Sequence, residues 1–369
     1  MRFHMKFLTF FLILVLPLSA CSKKTDSYIH AYVNLTPSPT VFQASPTPTA
    51  TPIPTPSPLS VSISIGGDVM FDSYVSETIN KIGLDNYIED IAPIFKCSDI
   101  SMVNLETAIS TRGEKEKDKQ FTFRADSKYL QVLASSGINV VTLANNHSLD
   151  FGATALEDTF SYLTEKNIAF VGAGRDMDEA SKAIHINKNN VKITILGSSH
   201  VIPFVSWNAG SKSTGLATTY DPTRLNSEIR KAKSISDFVI CYIHWGEEGK
   251  NLPVEYQKVL AHSYIDNGAD LVVGSHPHVL QGIEYYKNKT ILYSMGNLIF
   301  TDMYKKTAIA KITINNTKSV SLKILPVDIV NFKPTLVNDY EKSHMLFKEL
   351  ESISFGVKID TSGNVLPKY

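Results

Sequence analysis

The densest chemistry in this chain is Gly274-Ser275-His276-Pro277-His278, which follows the apolar run Leu271-Val272-Val273. Two imidazoles on alternate residues of a turn can face one mouth of a sheet, where α/β proteins hold ligands and metal ions. Asp68, Glu106, Asn146, His147 and His244 stand at the ends of other apolar runs. A buried, hydrogen-bonded imidazole explains one such position, and for His200 that reading stands beside the functional one. It explains the whole set poorly. Carboxylate, imidazole and amide-oxygen donors together suit a borderline divalent ion, Mn, Fe or Zn, with Mg less suited to a histidine-rich shell. Such an ion activates water and neutralises charge on a phosphoryl or carbonyl oxygen, so the implied reaction is hydrolysis or transfer.

These residues need strands to carry them. Val61, Ile63 and Ile65 alternate before Gly66-Gly67-Asp68, a strand running into a glycine turn. Residues 72–96 read as helices, and Ile100-Ser101-Met102-Val103 as a strand ending at Asn104-Leu105-Glu106. The unit repeats: helix 127–136, strand 138–143 ending at Asn145-Asn146-His147, helix 154–166, strand 169–171. Strand 191–196, helix 222–233, strand 238–243, helix 254–267, strand 271–273 and strand 290–293 follow. Continuous apolar strands alternating with helices imply a sheet covered on its faces by helices. Residues 308–314 and 320–324 alternate around Asn315-Asn316-Thr317, a hairpin and hence an antiparallel part of the sheet.

The N-terminus is of a different kind. Arg2 and Lys6, the apolar stretch Phe7 to Leu18 and then Ser19-Ala20-Cys21 read as an export signal, too short for a comfortable membrane span. Leu18-Ser19-Ala20-Cys21 resembles a bacterial lipobox, which would make Cys21 the lipidated first residue of the mature protein. An ordinary cleaved signal and an uncleaved anchor are the alternatives, and all three put the remainder outside the cytoplasm. From Leu35 to Pro58 the chain is mostly Thr, Pro and Ser, an extended tether that cannot pack a core. The expected division is therefore a signal at 1–20, a tether at 21–59 and a globular domain at 60–369. Net charge is zero and 43% of residues are apolar, which argues against a nucleic-acid partner. The remaining cysteines, Cys97 and Cys241, cannot make a disulfide framework; both stand in apolar contexts and are expected as buried free thiols, with a single Cys97–Cys241 bridge as the alternative.

Gly67-Asp68, Asn104-Leu105-Glu106, Asn145-Asn146-His147 with Asp150-Phe151-Gly152, His244-Trp245-Gly246-x-Glu248, the two-histidine turn and Ser294-Met295-Gly296-Asn297 form an ordered set. As a set they resemble the CapA-type poly-γ-glutamate capsule biosynthesis proteins, over about Val61 to Pro326. That family is similar to the calcineurin-like metallophosphoesterases, which implies a sheet sandwich flanked by helices, a four-layer αββα arrangement. The resemblance implies one or two divalent ions held by Asp68, Glu106, Asn146, His244, His276 and His278. It gives His147 and Asp150 the catalytic roles, His147 touching the scissile group, with Asn145, Asn297 and Glu248 supporting from behind. Glu248 would hold His244 in one tautomer, with Glu247 competing for that role. The sequence departs from the phosphoesterases at Met70, where they carry a histidine, and a thioether is a poor ligand for such ions.

Other residues have blander readings. Gly172-Ala173-Gly174 lacks the remaining spacing of a dinucleotide fingerprint, although Arg175 could face an anionic substrate from the rim. Trp207, Trp245, Tyr220 and Phe204 could line a polymer groove or pack a core. Lys115-Glu116-Lys117-Asp118-Lys119 reads as a solvated loop, and Arg124 as a candidate anion contact. The leading expectation is a lipid-anchored, metal-dependent hydrolase or transferase acting on an anionic polymer such as poly-γ-glutamate, with a membrane-bound polymer synthase as a further partner. A non-catalytic scaffold that binds the polymer or the synthase, and a general extracellular phosphoesterase, are the competing expectations.

Overall fold

Val61, Ile63 and Ile65 point into one apolar layer while Ser62 and Ser64 face the other side, so the first strand, Val61–Val69, is specified by its two-residue period. The computed structural model describes residues 60–315 and 317–368, which belong to a single unit, Pro56–Tyr369. The expected signal, Cys21 and the tether lie outside the described residues. Among those described, no helix is long and apolar enough to cross a membrane.

The first strand sits near the middle of a mixed sheet. On one side Ile100–Leu105, Val140–Thr142 and Ala169–Val171 run parallel to it. On the other, Lys306–Ile314 and Val320–Val330 pair antiparallel, the hairpin expected from the sequence. A second sheet places Val191–Ser199, Phe238–His244, Leu271–Ser275 and Lys289–Leu292 parallel to one another. Ile63, Ile65 and Met102 from the first sheet meet Ile195, Tyr242 and Val273 from the second in one buried cluster. Helices Ser73–Ile82, Leu130–Ser136 and Gly152–Glu165 cover the outer face of the first sheet, and Thr223–Ile235 and Glu255–Asp266 that of the second. This is the four-layer αββα sandwich expected from the sequence.

Several details differ from the expectation. Gly66 and Gly67 do not turn the chain but continue the strand to Val69, and across them, between Ile65 and Asp68, the pairing register with Ile100–Leu105 shifts by one residue. A Cβ on Gly67 would lie 1.8 Å from the carbonyl oxygen of Gly296, so glycine is needed for close backbone approach rather than for a turn. That approach lets Asn297–Ile299 pair parallel to the first strand, with Asp68 opposite Asn297. Cys241 is buried and free as expected, but Cys97 is free and exposed, because it caps a short helix, Ala92–Lys96, at its outer end. Strands Ile184–Lys188 and Ile283–Tyr286, helix Tyr340–Ser352 and the closing pair Val357–Ile359 and Asn364–Pro367 add elements that the sequence reading left out. The hydroxyl of Tyr242, from the second sheet, donates to the Gly66 carbonyl of the first at 2.7 Å, tying the sheets together beneath the strand ends.

Candidate metal centre

Parallel strands of both sheets end at one edge, and the chemistry-bearing residues come together there. Asp68, Glu106 and His244 offer ligand atoms within 4.8 Å of one another, as do Glu106, His276 and His278. All five are buried. Asn146 joins them, its Oδ1 2.8 Å from His244 Nε2. His276 and His278 follow the Leu271–Ser275 strand with φ of 95° and 60°, a left-handed backbone that non-glycine residues avoid. Strain of this kind persists where the surroundings fix it, and here Asp68 Oδ2 accepts the His276 backbone N–H at 3.2 Å.

The rings of His244, His278 and His147 are held from behind. His244 Nδ1 lies 3.1 Å from Ser275 Oγ and 3.3 Å from the Asn104 amide nitrogen, while Glu248 and Glu247 are exposed. Ser275, not Glu248, therefore fixes the His244 ring. Glu248 reaches Glu106 and His278 only through its charge. His278 Nδ1 lies 2.9 Å from Asn297 Oδ1 and 3.3 Å from Asp68 Oδ2. Asn145 receives the His147 N–H at its Oδ1 and donates to Asn104 Oδ1 and the Leu105 carbonyl. Asp150 lies fully buried behind His147, its Oδ2 2.7 Å from Nδ1, a separation that requires a hydrogen between them. His147 Nε2 thereby faces inward, 3.9 Å from Glu106 Oε1.

The electrostatics are those of a cavity short of positive charge. Burial, then repulsion from Asp68, pushes Glu106 well above the usual carboxylate range. Burial drives His244 well down, with His276 and His278 adding to it, and lowers His276 to about 3. Burial also opposes the charge on His278, but Glu106 and Asp68 outweigh it and lift this histidine to about 9. Glu106 Oε1, His276 Nδ1 and Asn297 Nδ2 are buried without a hydrogen-bond partner. Each such orphan costs about 1–3 kcal/mol, and two of them, Glu106 Oε1 and His276 Nδ1, are atoms that a bound cation would satisfy. The donor set, with two carboxylates, three imidazoles and one amide oxygen, fits a borderline divalent cation. Met70 takes no part. It is fully buried among Val69 and Phe71 in the helix-side core, and its sulfur accepts the Asp72 N–H.

The structure adds residues that the sequence reading passed over. Asn104 donates to Asp68 Oδ1 at 2.8 Å and to Glu106 Oε2 at 3.2 Å. Its position two residues before Glu106, on the same side of a strand, was the available signal. Phe123 stacks on His147 with ring centres 4.2 Å apart, and Phe300 lies 4.5 Å from His278. Lys119 is not solvated: its ammonium contacts the Asn146 carbonyl, Asp150 Oδ1 and, at 2.9 Å, His147 Nδ1, and it lies 5.3 Å from the Trp207 ring. Nothing in the alternating charge run announced this.

The remaining candidates sit apart from the centre. His200 Nδ1 meets Thr219, and the ring stacks between Tyr220 and Tyr256, the satisfied-histidine reading. Arg175 pairs with Glu179 and covers Phe160. Trp245 is core, donating to the Tyr293 carbonyl. Trp207 is buried beside Phe204, and Tyr220 is exposed. Arg124 is exposed, its guanidinium 4.1 Å from the Phe151 ring.

Known proteins resemble this chain over most of its length. Residues 62–302 match the family described as Bacterial capsule synthesis protein PGA_cap. The chain is 30% identical to capsule biosynthesis protein CapA of Bacillus anthracis, over 77% of this chain and 71% of that one. It is 32% identical to PGA biosynthesis protein CapA of Bacillus subtilis, over 80% and 79%. A probable polyglutamine synthesis accessory protein of Mycobacterium tuberculosis is 28% identical over 72% and 75%. Among solved structures, the sulfate thiohydrolase SoxB of Thermus thermophilus aligns with a TM-score of 0.44 and 13% identity, over 74% of this chain and 58% of that one. The chain belongs to the bacterial capsule synthesis protein family PGA_cap.

Proposed function

We propose that this chain serves capsule synthesis as a CapA-type protein, outside the cytoplasm and lipid-anchored at Cys21, and that it is a metal-dependent hydrolase or transferase acting on an anionic polymer of the poly-γ-glutamate kind. The names of its relatives support the pathway, and the convergence of Asp68, Glu106, Asn146, His244, His276 and His278, with orphaned atoms among them, supports the chemistry. These six residues would hold the ion. When bound, it supplies charge neutralisation at the reacting oxygen and activation of a nucleophile. The protein does the rest. His147 presents Nε2 to the cavity and moves the proton of the leaving group there, and Asp150 fixes its ring through Nδ1. Asn104 and Ser275 orient the ligands. Phe123 and Phe300 shield the imidazoles from water, which strengthens every interaction in the cavity.

The test is cleavage or transfer of end-labelled poly-γ-glutamate by purified protein with added Mn. Turnover that stops in His147→Ala and His276→Ala supports the reading. Equal turnover by wild type and both variants refutes it. One observation favours a second reading, a scaffold that binds the polymer or its synthase: Met70 is committed to the core and cannot supply a ligand. Polymer handling in cells that survives His147→Ala would establish the scaffold. Turnover of a chromogenic phosphate ester in preference to the polymer would favour a general phosphoesterase.

A further inference from the structure

Asp150 is the post to which a neighbouring loop is tied. Its backbone carbonyl accepts the Glu116 N–H at 2.8 Å, its Oδ2 accepts the Phe123 N–H at 2.7 Å, and its Oδ1 takes the Lys119 ammonium. The same ammonium reaches the Asn146 carbonyl. Residues 114, 115, 117, 118, 120 and 121 are exposed, yet the Lys119 side chain keeps only 11% of its surface. A lysine carries large side-chain entropy and a strongly hydrated charge, so it is buried this far only where specific partners hold it.

We infer that Lys119 is a positioning residue of the centre: its ammonium clasps the 116–123 strap to the Asn146–Asp150 turn and so holds Asn146 and His147 toward the cavity. Two of its N–H bonds go to acceptors of that turn, the Asn146 carbonyl and Asp150 Oδ1, and the ammonium packs 2.9 Å from His147 Nδ1, whose own hydrogen goes to Asp150; its effect passes through the turn. A strap held at Glu116, Lys119 and Phe123 also keeps the Phe123 ring on His147. The turn itself is short and makes few backbone bonds of its own, Asp150 N–H to the His147 carbonyl at 3.2 Å among them. Without the clasp, the side chains of Asn146 and His147 keep their chemistry but lose their aim.

Two measurements test this, and the first does not depend on the metal reading. Amide hydrogen exchange in Lys119→Met is expected to quicken at least tenfold at Glu116, Phe123, His147 and Asp150, with the Phe238–His244 strand unchanged. Asp150→Asn is expected to release the same amides, and the double variant to exchange no faster than the quicker single one. Unchanged exchange in Lys119→Met, or additive effects in the double variant, overturns the clasp. The second measurement is Mn binding by calorimetry and rests on the proposed centre. Lys119→Met is expected to bind about tenfold more weakly and Lys119→Arg close to wild type. Removing a nearby positive charge by itself would tighten binding, so equal or tighter binding in Lys119→Met contradicts the positioning role. If wild type takes up no Mn, the metal reading fails and exchange alone decides on Lys119.

Discussion

A centre built to receive a cation should be unstable without one, and Glu106→Gln exposes this. Glu106 is fully buried, faces Asp68, and leaves Oε1 without a partner. Glutamine keeps the shape, removes a charge that burial and Asp68 oppose, and places donors beside the Asp68 carboxylate. Relief of one buried unsatisfied group is worth about 1–3 kcal/mol. In a domain of this size each kcal/mol moves the midpoint of melting by roughly 2 °C, so metal-free Glu106→Gln should melt about 2–6 °C above metal-free wild type. With Mn the gap closes. An ion at one hundred times its Kd stabilises wild type by about 2.7 kcal/mol, and the variant, lacking a ligand, gains little. Scanning calorimetry of both proteins, with chelator and with Mn, reads all four values. A metal-free variant less stable than wild type, or one that keeps the full Mn-dependent rise, refutes the reasoning.

Gly67→Ala forces a Cβ to within 1.8 Å of the Gly296 oxygen, so the Asp68–Asn297 pairing must open; a loss of about 3 kcal/mol or more in urea unfolding is expected, together with loss of Mn binding. Tyr242→Phe strands the Gly66 carbonyl between the sheets and should cost about 1–2 kcal/mol by the same measurement. His278, lifted to about 9, carries a proton at pH 7 that an ion must displace. Mn affinity should therefore rise with pH from 6 toward 9, and calorimetry in buffers of different ionisation heat should show proton release; affinity that is flat or falls over this range contradicts the assignment.

The parallel strands were legible because strands buried on both faces read as continuous apolar runs, and the site residues because they stand where such runs stop. Lys119 was not legible, since a run of alternating charges looks the same in solvent as beside a buried carboxylate several turns of chain away. Gly66-Gly67 misled for a related reason. Gly-Gly-Asp spells a turn locally, but the demand for glycine comes from the Gly296 backbone, which sequence spacing cannot show. Cys97 looked buried from Ile94 and Phe95, but the helix ends there and leaves it outside. The Glu248 assignment failed because two residues compete for one imidazole nitrogen, and Ser275, on the adjacent strand opposite His244, is nearer. The C-terminal helix did carry a signal, Asp339 capping Lys342 N–H before Leu346, Phe347 and Leu350, but too short a pattern to stand alone.

The central claim is that side chains from both sheets grip one divalent cation. Elemental analysis of the protein purified without chelators tests it most directly, run beside Asp68→Ala and His276→Ala, one ligand from each sheet. The account predicts bound metal in wild type and its loss in both variants with the fold retained. Metal that persists in both variants, or a wild-type protein that takes up none when Mn, Fe or Zn is supplied, contradicts it.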